Sequence, residues 1–175
     1  TEKTYNNVMN RFKWGGLNKP GLYIDETVMR MCYTHRHLFA TLAMQLIAEG
    51  QNAKAEKVLR KSEKVLPEYN VPYTFMSGAS DLARAYALIG KKADAARILN
   101  KVWADAKSYA DYYLQLTGSR FMMSQNDVLR QLYIMQNIAD MTQACDKTLA
   151  DKRLKTVNAL YAVYQAKGGT PYQGE

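Results

Sequence analysis

The sequence predicts an all-α fold, a stack of about three helix pairs behind an irregular N-terminal segment. Two patterns carry this. From Asp25 onward the pattern is helical, with Val28, Met31, Cys32, His35, Leu38, Phe39, Leu42, Ala43, Leu46 and Ile47, all but His35 apolar, recurring at steps of three and four. The same helix-turn-helix grammar then occurs twice, around Gly50 and around Gly90. With 175 residues, 47% of them hydrophobic and 23% charged, the chain can bury a continuous core, and a disordered or disulfide-stapled chain is excluded.

Each element has its own signals. Residues 1–24 form a segment rich in Gly and Pro between Gly15 and Gly21, expected to pack on the array. Asp25 is a helix N-cap and Gly50 a stop, so one long amphipathic helix lies between them. A second spans about 53–66, with Ala55, Val58, Leu59 and Val65 inward and Lys54, Lys57, Lys61 and Lys64 outward, until Pro67 closes it. Residues 68–73 carry Pro72 and no helical period, which predicts an ordered connector. Further helices are expected at about 77–89, 93–116, 127–149 and 152–166, and residues 167–175 read as a flexible tail.

Ala43, Leu46, Gly50, Ala55 and Leu59 match Ala83, Tyr86, Gly90, Ala95 and Leu99 at one offset, 40 residues (90 minus 50 for the glycines). Antiparallel helices joined by a glycine turn need small residues where their axes approach, and Ala supplies them. The pattern resembles the tetratricopeptide repeat, with Gly50, Ala55, Leu59 and Pro67 in order. A standard unit has about 34 residues, so about six are inserted, most naturally in the connector. The resemblance implies an α-α superhelix with a concave face, onto which His37, Met44 and Ile47 from the first helix and Ser80, Arg84 and Ala87 from the third would fall. Arg84 is the residue for charge recognition there, unless Asp81 pairs with it.

Signatures of chemistry are missing. There is no G-x-S-x-G, Walker-type loop, G-x-G-x-x-G or H-E-x-x-H. His35 and His37, the two histidines, stand two apart and so leave different faces of a helix, which does not suit a metal. Asp25 and Glu26 are explained as a cap and a first-turn charge. Cys32 and Cys145 lie outside any C-x-x-C pair and read as buried thiols. No catalytic residue, cofactor or metal ligand is assigned, and this stretch is read as non-enzymatic.

Charge sets the partner class only coarsely. Twenty-four Lys and Arg against 16 Asp and Glu give +8 and a pI near 9.4, which favours acidic partners. Nucleic acid is not expected, since Glu56 and Glu63 interleave with the lysine stripe and no aromatic ring sits among those lysines. A protein or peptide partner is the primary reading. A glycan-binding module using Trp14, Tyr69 and Tyr73 is the alternative, because aromatic rings stack on sugars. The most apolar run, 38–48, is broken by Thr41 and Gln45 and is too short to span a bilayer. The first residues, without Met or a signal pattern, read as a piece of something longer, with any membrane tether or address on the missing part.

The words Tyr5-Asn6-Asn7, Arg11-Phe12-Lys13-Trp14-Gly15-Gly16, Tyr23-Ile24-Asp25-Glu26-Thr27 and Tyr69-Asn70-Val71-Pro72-Tyr73 resemble the C-terminal region of a family of large multi-pass bacterial membrane proteins. In its membrane half that family is similar to protein O-mannosyltransferases and other lipid-linked-sugar glycosyltransferases. The resemblance covers residues 4–116 well and the rest loosely. It implies a soluble tail on the extracytoplasmic, periplasmic side, with catalysis in membrane-half loops that this chain does not contain.

Overall fold

The computed structural model describes residues 1–171, and among them every regular element is a helix. The order is α1 (Glu2–Asn6), a π-helical turn (Asn7–Arg11), α2 (Glu26–Ala48), α3 (Asn52–Val65), a 3-10 turn (Phe75–Ser77), α4 (Ala79–Leu88), α5 (Lys92–Gln115), α6 (Gly118–Met123), α7 (Gln125–Thr142) and α8 (Lys147–Ala166). The chain forms two compact units, Thr1–Ile98 and Leu99–Glu175, divided within α5.

In the first unit α2 begins where expected. The Asp25 carboxylate accepts from the backbone N–H groups of Thr27 (2.8 Å) and Val28 (3.0 Å), satisfying two donors that a helix start leaves orphaned. Its end and that of α4 are built alike. Gly50 (φ 73°) donates to Ile47 O at 2.9 Å and Gln51 to Leu46 O at 2.7 Å. Gly90 (φ 78°) donates to Ala87 O at 3.0 Å and Lys91 to Tyr86 O at 2.9 Å. Both are Schellman caps, which need a positive φ that only glycine adopts without strain. Burial repeats as well: residues 51–60 and 91–100 run through the same sequence of buried, half-buried and exposed positions. Ala43, Ala83, Ala55 and Ala95 are fully buried, the small residues that let the helices of each pair approach.

The connector after α3 is ordered around one side chain. Arg36 of α2 is fully buried and donates to the carbonyls of Leu66 (3.1 Å), Val71 (2.6 Å), Pro72 (3.2 Å) and Ser77 (3.2 Å). Its guanidinium also lies over the Tyr73 ring, 4.8 Å from the centroid. Four charge-assisted bonds replace the water that burial removes. The connector in turn holds the N-terminal segment: Asn70 Nδ2 donates to Leu17 O (2.7 Å) and Lys19 O (2.6 Å), and the Tyr69 hydroxyl to Asn18 O (2.6 Å).

Several boundaries differ from the sequence reading; α6 is not among the expected helices, and α8 starts at Lys147 rather than at about 152. Residues 1–24 contain α1 and the π-helical turn, not only irregular chain. The third long helix, expected from about residue 77, starts at Ala79, because a Thr74/Ser77 capping box closes the 3-10 turn and Gly78 at φ 76° separates it from α4. The helix expected over 127–149 ends at Thr142. There Cys145 and Asp146 N–H groups turn back onto Thr142 O (2.9 and 2.8 Å), and the Asp146 carboxylate caps α8 by accepting from Leu149 N (2.9 Å).

The second unit packs Leu114, Phe121, Val128, Leu132 and Tyr164 into a core. Its buried cation is Arg153, which donates to Thr142 Oγ1 (2.5 Å) and Asn100 Oδ1 (2.6 Å) and stacks on Trp103. Past α8, Lys167 Nζ donates to Leu116 O (2.9 Å), and Thr170 is bonded through its N–H and hydroxyl to Gln125 Oε1. Of the stretch expected as a tail, residues 172–175 lie outside the described residues.

Candidate functional site

The six concave-face candidates lie on α2 and α4, which pack side by side in the first unit. The helices approach closely at Gly78, where an added Cβ would lie 3.0 Å from His37 N and 3.2 Å from its ring. That approach brings His37 Nδ1 within 2.9 Å of Asp81 Oδ2, so Asp81 is engaged by His37 and not by Arg84. Arg84 is exposed and makes no ion pair among the described residues. Ser80 is buried, and its hydroxyl has no hydrogen-bond partner among the described residues. Met44, Ile47 and Ala87 are half-buried. The face thus offers one uncompensated guanidinium among small and apolar side chains.

The three aromatic candidates are differently placed. Trp14 stacks on Phe39 (centroids 5.1 Å) and meets His35 edge-on (5.5 Å), so its ring is spent on packing the N-terminal segment against α2. Tyr73 is 4% exposed, with Arg36 on its face and its hydroxyl on Glu63 Oε1 at 3.2 Å. Burial pushes that phenol up to about 12. Tyr69 alone is well exposed, and its hydroxyl is taken by Asn18. These rings do not form an open platform of the kind sugar stacking requires.

Glu63 is the centre of a polar cluster joining α3, the connector, α4 and α5. It accepts from Arg97 (2.5 Å), from Tyr73 and from Tyr86 (both 3.2 Å). Beside it Arg60 makes a two-pronged pair with Asp94 at 2.8 and 2.6 Å and lies over the Tyr86 ring. The Arg60 hydrogen bonds hold the Asp94 carboxyl below its ordinary range, and burial with the nearby Glu63 charge pushes Tyr86 well above the usual phenol value. Every member has a partner inside the cluster, so its geometry is that of a cross-brace between the two helix pairs.

On the outer side of α3 the lysine stripe divides. Lys54 reaches Glu2 (2.7 Å) and the Tyr5 ring. Lys57, Lys61 and Lys64 make no ion pair among the described residues, and with Met9, Ala53, Glu56 and Arg60 they line an open depression of about 580 Å³. Among the described residues no group of three His, Cys, Asp or Glu side chains is placed to hold a metal, and no helix is long and apolar enough to cross a membrane.

Comparison of the chain with protein-family models, with curated proteins and with solved structures finds no match.

Sequence reasoning passed over Arg36, Gly78 and Met9. Arg36 had a signal: it stands at the i+4 position between Cys32 and Phe39 on the stripe that is otherwise apolar, where a charge must be buried. Gly78 gave none, because its close approach to His37 is a tertiary contact.

Proposed function

We propose that this chain is a non-catalytic protein-interaction module of tetratricopeptide-like architecture, the soluble tail of a membrane glycosyltransferase-like protein on the extracytoplasmic face of a bacterial membrane. Its α2/α4 face takes an acceptor polypeptide or a partner subunit, with Arg84 recognising an acidic group. The observation that carries the reading is the repetition at Gly50 and Gly90 of one cap geometry and one burial pattern. Repeats of this kind present surfaces shared by successive first helices. The membrane parentage and the location rest on the resemblance of the N-terminal and connector words alone. For the glycan alternative, Tyr73 is buried and Trp14 is half-buried against Phe39, which leaves Tyr69 as the well-exposed ring of the three.

The test compares a full-length protein carrying this region with a version lacking it and with Arg84→Glu. Loss of acceptor use on deletion and on Arg84→Glu, with lipid-linked sugar still hydrolysed, is the expected result. Sugar transfer by purified residues 1–175 alone would overturn the non-catalytic reading, and full acceptor use by Arg84→Glu would overturn the assigned face.

A further inference from the structure

We infer that the depression on the outer side of α3 is a second docking surface, separate from the α2/α4 face, and that its occupant is an acidic amphipathic helix of a partner protein. The first observation is one of charge. Of the cations on and beside α3, Lys54, Arg60 and Lys91 are neutralised by Glu2, Asp94 and Glu56. Lys57, Lys61 and Lys64, at i, i+4 and i+7, have no carboxylate partner among the described residues and share the depression's wall. Like charges so spaced repel one another, so an anion placed across all three would relieve that repulsion. Seven residues of helix rise span about 10 Å, the spacing at which Asp or Glu side chains two turns apart on a facing helix meet all three lysines.

The second observation is the floor. Met9 projects from the π-helical turn, closed by the Phe12 N–H on Asn7 O at 2.9 Å, and with Ala53 it supplies an apolar patch between the lysines. Met adapts its shape to what covers it. An apolar side chain of the incoming helix seats there while its carboxylates reach the rim, the helix-in-groove mode. Nucleic acid fits less well, since no aromatic ring lines the depression for base stacking and Glu56 stands in its wall. A second copy of this chain would bring a +8 molecule onto a basic surface.

The probe is a fluorescein-labelled helical peptide with glutamates at i, i+4 and i+7 and leucines on its opposite face, titrated against residues 1–175 at low ionic strength, with polyglutamate, oligothymidylate and phosphatidylcholine/phosphatidylserine vesicles in parallel. Lys57→Gln/Lys61→Gln/Lys64→Gln should weaken peptide binding about tenfold or more, three screened ion pairs being worth roughly 1.5 kcal/mol together. Met9→Ser, which removes the apolar floor without adding charge, should weaken the peptide and leave polyglutamate unchanged. All replaced groups are exposed or half-buried, and an unchanged helical circular dichroism spectrum confirms that the variants fold. Equal peptide affinity in the triple variant, or tighter binding of oligothymidylate or vesicles than of peptide, overturns the inference. Peptide binding lost in Arg84→Glu but kept in the triple variant would also overturn it, while supporting the α2/α4 face.

Discussion

Arg36 ties α2 to the connector through one buried guanidinium, bonded to four backbone carbonyls. A buried guanidinium costs several kcal/mol in lost hydration, which is why burial holds its pKa below the ordinary arginine value. Four carbonyl acceptors and the Tyr73 face offset that cost, and in doing so they fix residues 66–77, which have few backbone bonds of their own. Arg36→Met therefore leaves the buried carbonyls of Leu66, Val71 and Ser77 without this donor. The expected loss is about 3 kcal/mol or more by urea unfolding. Arg36→Lys should recover only part of it, because one ammonium cannot reproduce the planar fork. Amide exchange in the connector should rise in both. A stability within 1 kcal/mol of wild type for Arg36→Met would remove the residue from this role.

At the scale of elements, the glycines separate two kinds of requirement. An added Cβ at Gly90 meets nothing within 4 Å, so Gly90→Ala pays only for a side chain at φ 78°, about 1–2 kcal/mol. Gly78 has a similar positive φ, 76°, and a Cβ added there would also lie 3.0 Å from His37 N. Gly78→Ala should cost distinctly more and should disturb the His37 to Asp81 contact, visible as a shifted His37 imidazole resonance; equal costs for the two variants would count against the close approach of α2 and α4. The contrast also shows what the sequence could carry. Helix pairs were legible because Asp25, Gly50, Gly90 and the apolar spacing are local signals, each read within one turn. The break after Thr142 was not, since residues 143–149 keep helix-compatible composition and only the Asp146 cap to Leu149 N marks the restart. The candidate face was legible as positions on α2 and α4, but Asp81's partner was not: whether it met Arg84 one turn away or His37 on another helix depended on how closely α2 and α4 approach.

For the whole molecule, the two units should respond differently to acid. In the first, Asp94 and Glu56 have carboxyls held below their ordinary range, by hydrogen bonds from Arg60 and from Lys91 respectively. A depressed folded-state pKa means stability that is present above the unfolded value, near 4, and lost as the pH falls through the folded one. In the second unit the shifted carboxyl is Asp105, raised by burial, which has the opposite sign: its contribution improves as the pH drops through its folded value toward the unfolded one. Charge repulsion acts on both units, as protonation of 16 carboxylates leaves 24 Lys and Arg unopposed. The difference between the units therefore reports the ion pairs. Trp14 lies in the first unit and Trp103 in the second, so Trp103→Phe and Trp14→Phe give one fluorescent reporter for each. Between pH 5 and 3 the Trp14 signal should lose thermal stability faster, by roughly 5 °C for about 1 kcal/mol of lost pairing. Adding Asp94→Asn should lower stability at pH 7 and flatten that acid slope, since the group that titrates is gone. Parallel acid slopes for the two reporters, or a slope unchanged by Asp94→Asn, would mean that the Arg60 to Asp94 pair is not the source of the first unit's acid sensitivity.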